Sequence, residues 1–306
     1  MVTTTTAPVN ATGWDGDIEL RKRKVSPGRV ALYVFLTIMA LMWLFPMLWA
    51  VYNSLRDYGY TLEHGYVSFG GFTLENFPNA WRRGGFATSF GNSAVITIAA
   101  VVFTLAASSC MAFVLARVKF RFNFAMLAVF VAANLLPPQS LLIPVYRMFR
   151  WVQLPAWLSD SGSLLNTHAG VILINVAFQT GFCTFVLRNY MIGLPKAMYE
   201  AAEIDGASLW RQFYGITLPL IRPALAALAT LQVAWIYNEF FWATVLLQSG
   251  DKFPITSSLT NLAGTFFTDN NLVAAGSLII ALPTLIIYFA LQKHFVAGLT
   301  MGATKG

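Results

Sequence analysis

The 306-residue sequence is 57% hydrophobic and only 11% charged, whereas a soluble domain carries about 25% charged residues. With a mean hydropathy of +0.61, this excludes an ordinary soluble globular chain. The net charge of +7 does not point to nucleic acid, because no basic face with interleaved aromatics occurs.

Residues 1–29 are polar and Thr-rich, with Thr3, Thr4, Thr5 and Thr6 in a row, and bury too little to fold. A disordered cytoplasmic tail is expected there. Six apolar runs follow, at roughly 30–53, 90–115, 123–146, 168–188, 220–248 and 272–293. Each approaches the ~20 residues needed to cross a bilayer. Backbone in lipid must satisfy its own hydrogen bonds, and the runs lack period-two alternation, so they are read as helices. The expected fold is an all-α integral membrane protein with six transmembrane helices and a membrane domain over 30–295. The first run, kinked at Pro46, is a retained helix and not a cleaved signal, since no small-x-small site follows before Arg56.

Orientation follows from Lys and Arg. With the N-terminus inside, only Arg56, Arg82, Arg83, Arg147, Arg150 and Lys252 of the 20 cations fall outside. Both termini and the loop 189–219 are then cytoplasmic. The segment 54–89 becomes the longest external connection, rich in Tyr and Phe. It reads both as an interfacial cap and as a landing surface for an external partner.

Within the third run, Pro137, Pro138 and Pro144 interrupt the helix. Such breaks mark either a transport pathway or a tolerated packing kink; on the first reading Gln139 is a pathway residue. The loop 189–219 is polar between apolar runs. Pro195 suits a helix start, strong helix formers run from Tyr199 to Ile204, and Glu200, Glu203 and Asp205 are placed near the positive end of that helix. Gly206 allows a bend or a close approach. A second short helix is expected from Ser208 to Tyr214, with Pro219 stopping it and opening the fifth span.

In that fifth span Glu239 is the one acid inside an apolar run, and it should face protein or a water-filled cavity. At helical spacing Gln232, Trp235, Glu239 and Trp242 form one stripe, able to bond sugar hydroxyls and stack on a sugar ring. Asn238 points about 100° away. Lining a pathway and pairing between helices both remain open for Glu239.

Several chemistries have no footing. There is no G-x-x-x-x-G-K-[ST], H-E-x-x-H or G-x-S-x-G. His64, His168, His294, Cys110 and Cys183 are too dispersed for a metal site or a disulfide framework. A polytopic membrane enzyme would need more than Glu239. A passive channel or ion-driven transporter would explain the spans but not the acidic loop.

Three stretches carry a family resemblance. Glu200-Ala201-Ala202, Asp205-Gly206 and then Ile216-Thr217-Leu218-Pro219 resemble the E-A-A loop of binding-protein-dependent ABC importer permeases. Ala112-Phe113, Ala116-Arg117 and Phe120 are similar to the A-[YF]-x-x-A-R-x-x-F signature of the maltose-type carbohydrate branch. The end of the chain, including Gly302, Lys305 and Gly306, resembles that branch's tail, over 296–306, and Asn92-Ser93 also fits. The resemblance implies a type I ABC importer permease fold in a bacterial cytoplasmic (inner) membrane. It also implies a second related permease, two ATPase subunits that carry ATP and Mg, an external solute-binding protein and a carbohydrate substrate. This chain would bind no cofactor itself. Glu200, Ala201, Ala202, Asp205, Gly206, Ile216, Leu218 and Pro219 would couple to the ATPase, with the tail reaching the same partner. No residue decides between a sugar and a polyol or glycerol phosphate.

Overall fold

The computed structural model describes residues 27–118, 120–157, 159–263 and 268–300, with side chains omitted at 287, 288 and 290–300. The expected tail over 1–29 lies outside these residues up to 26, and so do Gly302, Lys305 and Gly306. Helix α1 (Pro27–Ser54) already includes the last three positions of that tail, because Pro fits the first helical position, where no N–H is needed.

All regular elements among the described residues are helical, apart from two isolated β-bridges. The chain divides into two units, 1–48 and 49–306. The first contributes the apolar body of α1, a helix long enough to cross a membrane. In the second, α2 (Tyr58–His64) and α3 (Asn76–Arg83) precede α4 (Phe86–Arg117). Then come α5 (Asn123–Leu135), α6 (Leu142–Trp151), α7 (His168–Ile192), α8 (Lys196–Ile204), α9 (Leu209–Gln212), α10 (Leu218–Leu220), α11 (Arg222–Tyr237), α12 (Phe241–Leu246) and α13 (Asn270–Thr300).

Helices α4 and α7 form the centre. Apolar surface drives no helix pairing inside lipid, so close contact relies on small and hydroxyl side chains. The buried face of α4 carries Ala100, Thr104, Ser108 and Ala112, and Ser108 Oγ donates to the Thr180 carbonyl at 3.2 Å. On α7, Gly181 admits α5: a Cβ there would press on the Asn134 amide and sit 2.7 Å from the Phe130 carbonyl oxygen. Further packing joins α11 to α4 and α13, and α3 to α13. Near the start of α4, Asn92 Nδ2 donates to the carbonyls of Asp251 and Phe253, and Ser93 Oγ accepts the Ile255 N–H at 2.8 Å.

The segment 54–89 folds around Arg56, whose side chain is fully buried. Its guanidinium donates to the carbonyls of Gly65, Tyr66 and Gly70 and to Ser68 Oγ, and it lies over the rings of Tyr52 and Tyr60. A buried cation needs such full satisfaction. Asn76 and Asn271 both donate to the Arg56 carbonyl, tying α3 and α13 to this turn.

Two expected spans are not single helices. The run 123–146 bends by 99° between α5 and α6, because neither Pro137 nor Pro138 can donate a backbone N–H. The run 220–248 breaks after Tyr237, and a 71° bend separates the 209–220 segment from α11. Among the described residues, three helices are long and apolar enough to cross a membrane, or five spans exist if each bent pair counts as one.

Candidate functional site

The 189–219 segment carries the helical hairpin α8–α9, packed through Tyr199 and Phe213 on Phe113 of α4 and Leu187 of α7. Leu194 precedes Pro195, which is held at φ −57°, ψ 123° as the N-cap of α8. The helix therefore starts at Lys196, directly after the proline expected to open it, and its first turn holds no acid. Glu200 falls mid-helix, Glu203 lies in the last turn and Asp205 is the C-cap. This corrects the expectation that the acids match the positive end of the helix; the last two sit at the negative end, where a carboxylate is disfavoured. Among the described residues none of the three forms an ion pair.

Helix α8 ends in a tight reversal. The Gly206 N–H bonds the Glu203 carbonyl at 3.0 Å and the Ala207 N–H bonds that of Ala202 at 2.8 Å, the paired pattern of a Schellman cap. Gly206 has φ +72°, and a Cβ added there would meet nothing within 4 Å. Of the two uses open to this glycine, the bend is the one the chain requires. Ser208 then caps α9, its hydroxyl accepting the Arg211 N–H at 3.4 Å.

The expected helix 208–214 is shorter, and it widens into a π-turn over Phe213–Thr217. Pro219 has no N–H to bond the Gly215 carbonyl, and the Leu218 N–H bonds back to Phe213. Pro219 lies inside α10, and Pro223 rather than Pro219 stands in the first turn of α11. Ile216 and Leu218 are half-buried against the cluster formed by Phe113, Leu187, Phe213 and Ile221. Glu200, Ala201, Asp205 and Pro219 are exposed and Ala202 is half-buried. Apolar side chains beside them also face outward: Ile204 is 86% exposed and Trp210 65%, with Leu209 and Tyr214 at least half exposed.

Beneath this hairpin, α4 and α7 exchange arginines. Arg117 Nη2 donates to the Met191 carbonyl at 3.0 Å, and Arg188 Nε donates to the Leu115 carbonyl at 3.3 Å. Each cation thus meets the negative end of the other helix. Read from sequence, Arg188 marked only topology, and Arg117 marked topology and a place in the A-x-x-A-R pattern, with no contact assigned to either. The signal was available in the spacing of Ala112, Ala116 and Arg117, which puts Arg117 in the last turn of α4.

The stripe expected on the fifth span does not form one open face. Gln232 is fully buried, its Nε2 donating to Cys183 Sγ at 3.1 Å while Oε1 has no partner among the described residues. Trp242 is buried beside Phe178, ring centroids 5.6 Å apart. Trp235 is half exposed, 5.6 Å from the Phe182 ring. The helix stops between them, so helical spacing does not carry from Trp235 to Trp242. Asn238 Nδ2 bonds back to the Ala234 carbonyl at 2.7 Å, and Thr284 Oγ1 donates to its Oδ1 at 3.3 Å. The Glu239 carboxylate accepts the N–H groups of Trp242 and Ala243 at 2.6 and 3.0 Å. It therefore caps α12, satisfying donors that a helix start leaves open. Gln139 is exposed in the short 3₁₀ turn Pro138–Leu141, remote in the chain from this break. Among the described residues no cluster of His, Cys, Asp or Glu is arranged to hold a metal ion.

Residues 105–300 match the family described as Binding-protein-dependent transport system inner membrane component. The chain belongs to that family. The permease is 34% identical over 294 residues to the arabinooligosaccharides transport system permease protein AraQ of Halalkalibacterium halodurans, covering 93% of this chain and 100% of that one. It is 32% identical over 235 residues to the melibiose/raffinose/stachyose import permease protein MelC of Bacillus subtilis, covering 76% and 82%. Its fold matches a chain of a bacterial ABC transporter involved in the import of the acidic polysaccharide alginate. The TM-score is 0.70 at 24% identity, over 89% of this chain and 99% of that one. It is a multi-pass membrane component of an ABC import system.

Proposed function

We propose that the permease imports a sugar or oligosaccharide, driven by a separate ATPase that docks on the α8–Gly206–α9 hairpin. The observation that carries this is the composition of the hairpin surface. Three acids without ion-pair partners among the described residues, two of them at the disfavoured end of α8, stand beside exposed Ile204, Leu209, Trp210 and Tyr214. Neither feature is explained by stability within this chain. Acids repel anionic headgroups, so a membrane-surface role fits poorly. A rigid amphipathic element of this kind suits a cleft in a soluble partner.

The names of AraQ and MelC, proteins of arabinooligosaccharide and of melibiose, raffinose and stachyose import, support an oligosaccharide as the solute. An alginate transporter of related fold has been seen with a pentasaccharide-bound periplasmic protein, which supports delivery by an external binding protein. In this reading six spans place both ends and the hairpin on the cytoplasmic side of the inner membrane, and a second related permease completes the pathway. Trp235 and Asn238, exposed on either side of the helix end, face that pathway, with Gln139 a further contact. Gln232 and Trp242 hold the core behind it. Family membership favours this reading over a channel or an ion-driven transporter.

Reconstitution with the ATPase, the partner permease and the binding protein tests it. Labelled raffinose or an arabino-oligosaccharide should enter proteoliposomes only with ATP and the binding protein. Glu200→Lys should weaken ATPase association while the permease still reaches the membrane. Uptake without ATP, or undiminished uptake in the Lys variant, would overturn the docking role.

A further inference from the structure

Among the described residues, helix α8 meets the membrane core through one buried side chain. Of its nine residues, Tyr199 alone is buried. The Arg117 guanidinium lies 3.4 Å from the centroid of its ring. At the far end of the side chain, the Tyr199 hydroxyl is 3.0 Å from Thr217 Oγ1, and the two share a hydrogen bond. Both contacts lead onward. Arg117 is bonded to the end of α7 through the Met191 carbonyl. Thr217 closes the π-turn by donating to the Gln212 carbonyl at 3.2 Å, immediately before the bend into α11.

We propose that Tyr199, clamped by Arg117 and bonded to Thr217, is the joint that transmits displacement of the docking hairpin to α4, α7 and the fifth span. This rests on the docking reading and names the positioning residues that would make docking productive. The chemistry suits the task. A tyrosine ring is stiff, having two side-chain torsions, and can push as well as pull. The cation over its face is half-buried, with its Nε out of water, and a cation–π contact strengthens as the cation loses solvent. The guanidinium is planar, so it stacks on the ring while sharing its donors with the α7 carbonyl. A π-turn is a widened point in a helix, frequent at functional sites, and the Thr217 hydroxyl sits at its end. Exposed residues of α8 and α9 make the outward contact. Tyr199 is where that contact meets the core.

The test uses the full reconstituted complex and reads solute transported per ATP hydrolysed, alongside thermal stability. Tyr199→Leu removes the stacking and the hydroxyl; Tyr199→Phe keeps the ring and removes the Thr217 link; Thr217→Val removes the same link from its other side together with the bond to the Gln212 carbonyl. Arg117→Lys keeps the charge but loses the planar stack. Transport per ATP should fall by about tenfold in Tyr199→Leu, between the scale of an exposed cation–π contact and that of a desolvated one, and by less in Tyr199→Phe. Thr217→Val also loses the bond to the Gln212 carbonyl and should be at least as damaging as Tyr199→Phe, with the double variant no worse than Thr217→Val, since the Tyr199 link is then already broken. Arg117→Lys should fall between wild type and Tyr199→Leu. A loss of uptake and ATP hydrolysis in equal proportion, with lowered stability, would reduce Tyr199 to core filling and overturn the joint. If Tyr199→Leu is coupled normally while Glu200→Lys still fails, the joint is wrong and docking stands. If Glu200→Lys also transports normally, docking itself is wrong.

Discussion

Gly206 offers the sharpest separation of conformation from contact. Its φ of +72° lies in the left-handed region, and no atom of the described residues lies within 4 Å of the space that a Cβ would enter. Alanine there meets no clash, so its cost is the backbone term alone, about 1–2 kcal/mol. At 1.4 kcal/mol per factor of ten, the Schellman turn loses roughly 5–30-fold in population. Asparagine tolerates the left-handed region far better and should stay close to wild type. Valine, β-branched, should be worst and should abolish transport while the protein still reaches the membrane. The assay is ATP-dependent uptake in proteoliposomes at matched permease content, with ATPase association measured on the same samples. The expected order is Gly, Asn, Ala, Val. Should Asn prove more damaging than Ala, side-chain volume at the docked surface, and not backbone conformation, would govern the site, and the reasoning would be refuted.

Glu239→Leu removes the acceptor for two N–H groups of α12 and should destabilise the complex by about 0.5–2 kcal/mol, whereas Glu239→Gln keeps one acceptor and should be milder in thermal unfolding. If the Gln variant instead loses uptake at full stability, the carboxylate has a role in transport beyond its cap. Gly181→Val would drive a side chain into the Asn134 amide and the Phe130 carbonyl, and should cost about 1–3 kcal/mol as α5 and α7 separate; an unchanged melting temperature would contradict the close approach. In a background lacking Cys110 and Cys183, an impermeant maleimide applied to intact cells should label Glu63→Cys and spare Glu203→Cys. Labelling at 203 would invert the topology and remove the docking argument with it.

The helical class was legible because a bilayer imposes one requirement on every residue it covers: long unbroken hydrophobicity. The same signal hid the interruptions. Pro137 and Pro138 were visible as letters, but a 99° turn follows from which donors they remove and what packs beside them. Asn238 and Glu239 were more deceptive. Within an apolar run they looked like a polar stripe on a continuing helix, when their side chains are the caps that end one helix and begin the next. Capping is local chemistry, but it competes with propagation, and a hydrophobicity window cannot weigh that competition.

Contacts across the chain were hidden for a different reason. Asn92 meets the Asp251 carbonyl from 159 positions away, and no periodicity relates the two. Arg117 shows how far a motif can reach without its geometry. Its place in A-x-x-A-R was readable, and its charge was accounted for by topology, an explanation that would have served any arginine near that membrane face. A guanidinium needs only solvent to satisfy the positive-inside rule. Here it is spent instead on a carbonyl of α7 and the ring of Tyr199, and its buried Nε has no partner among the described residues. A position that only orients the chain has no reason to accept an unpaired buried donor, which is expensive to leave unmade. That donor is tolerated where the other contacts of the guanidinium must hold their geometry, and the geometry they hold is the seat of α8.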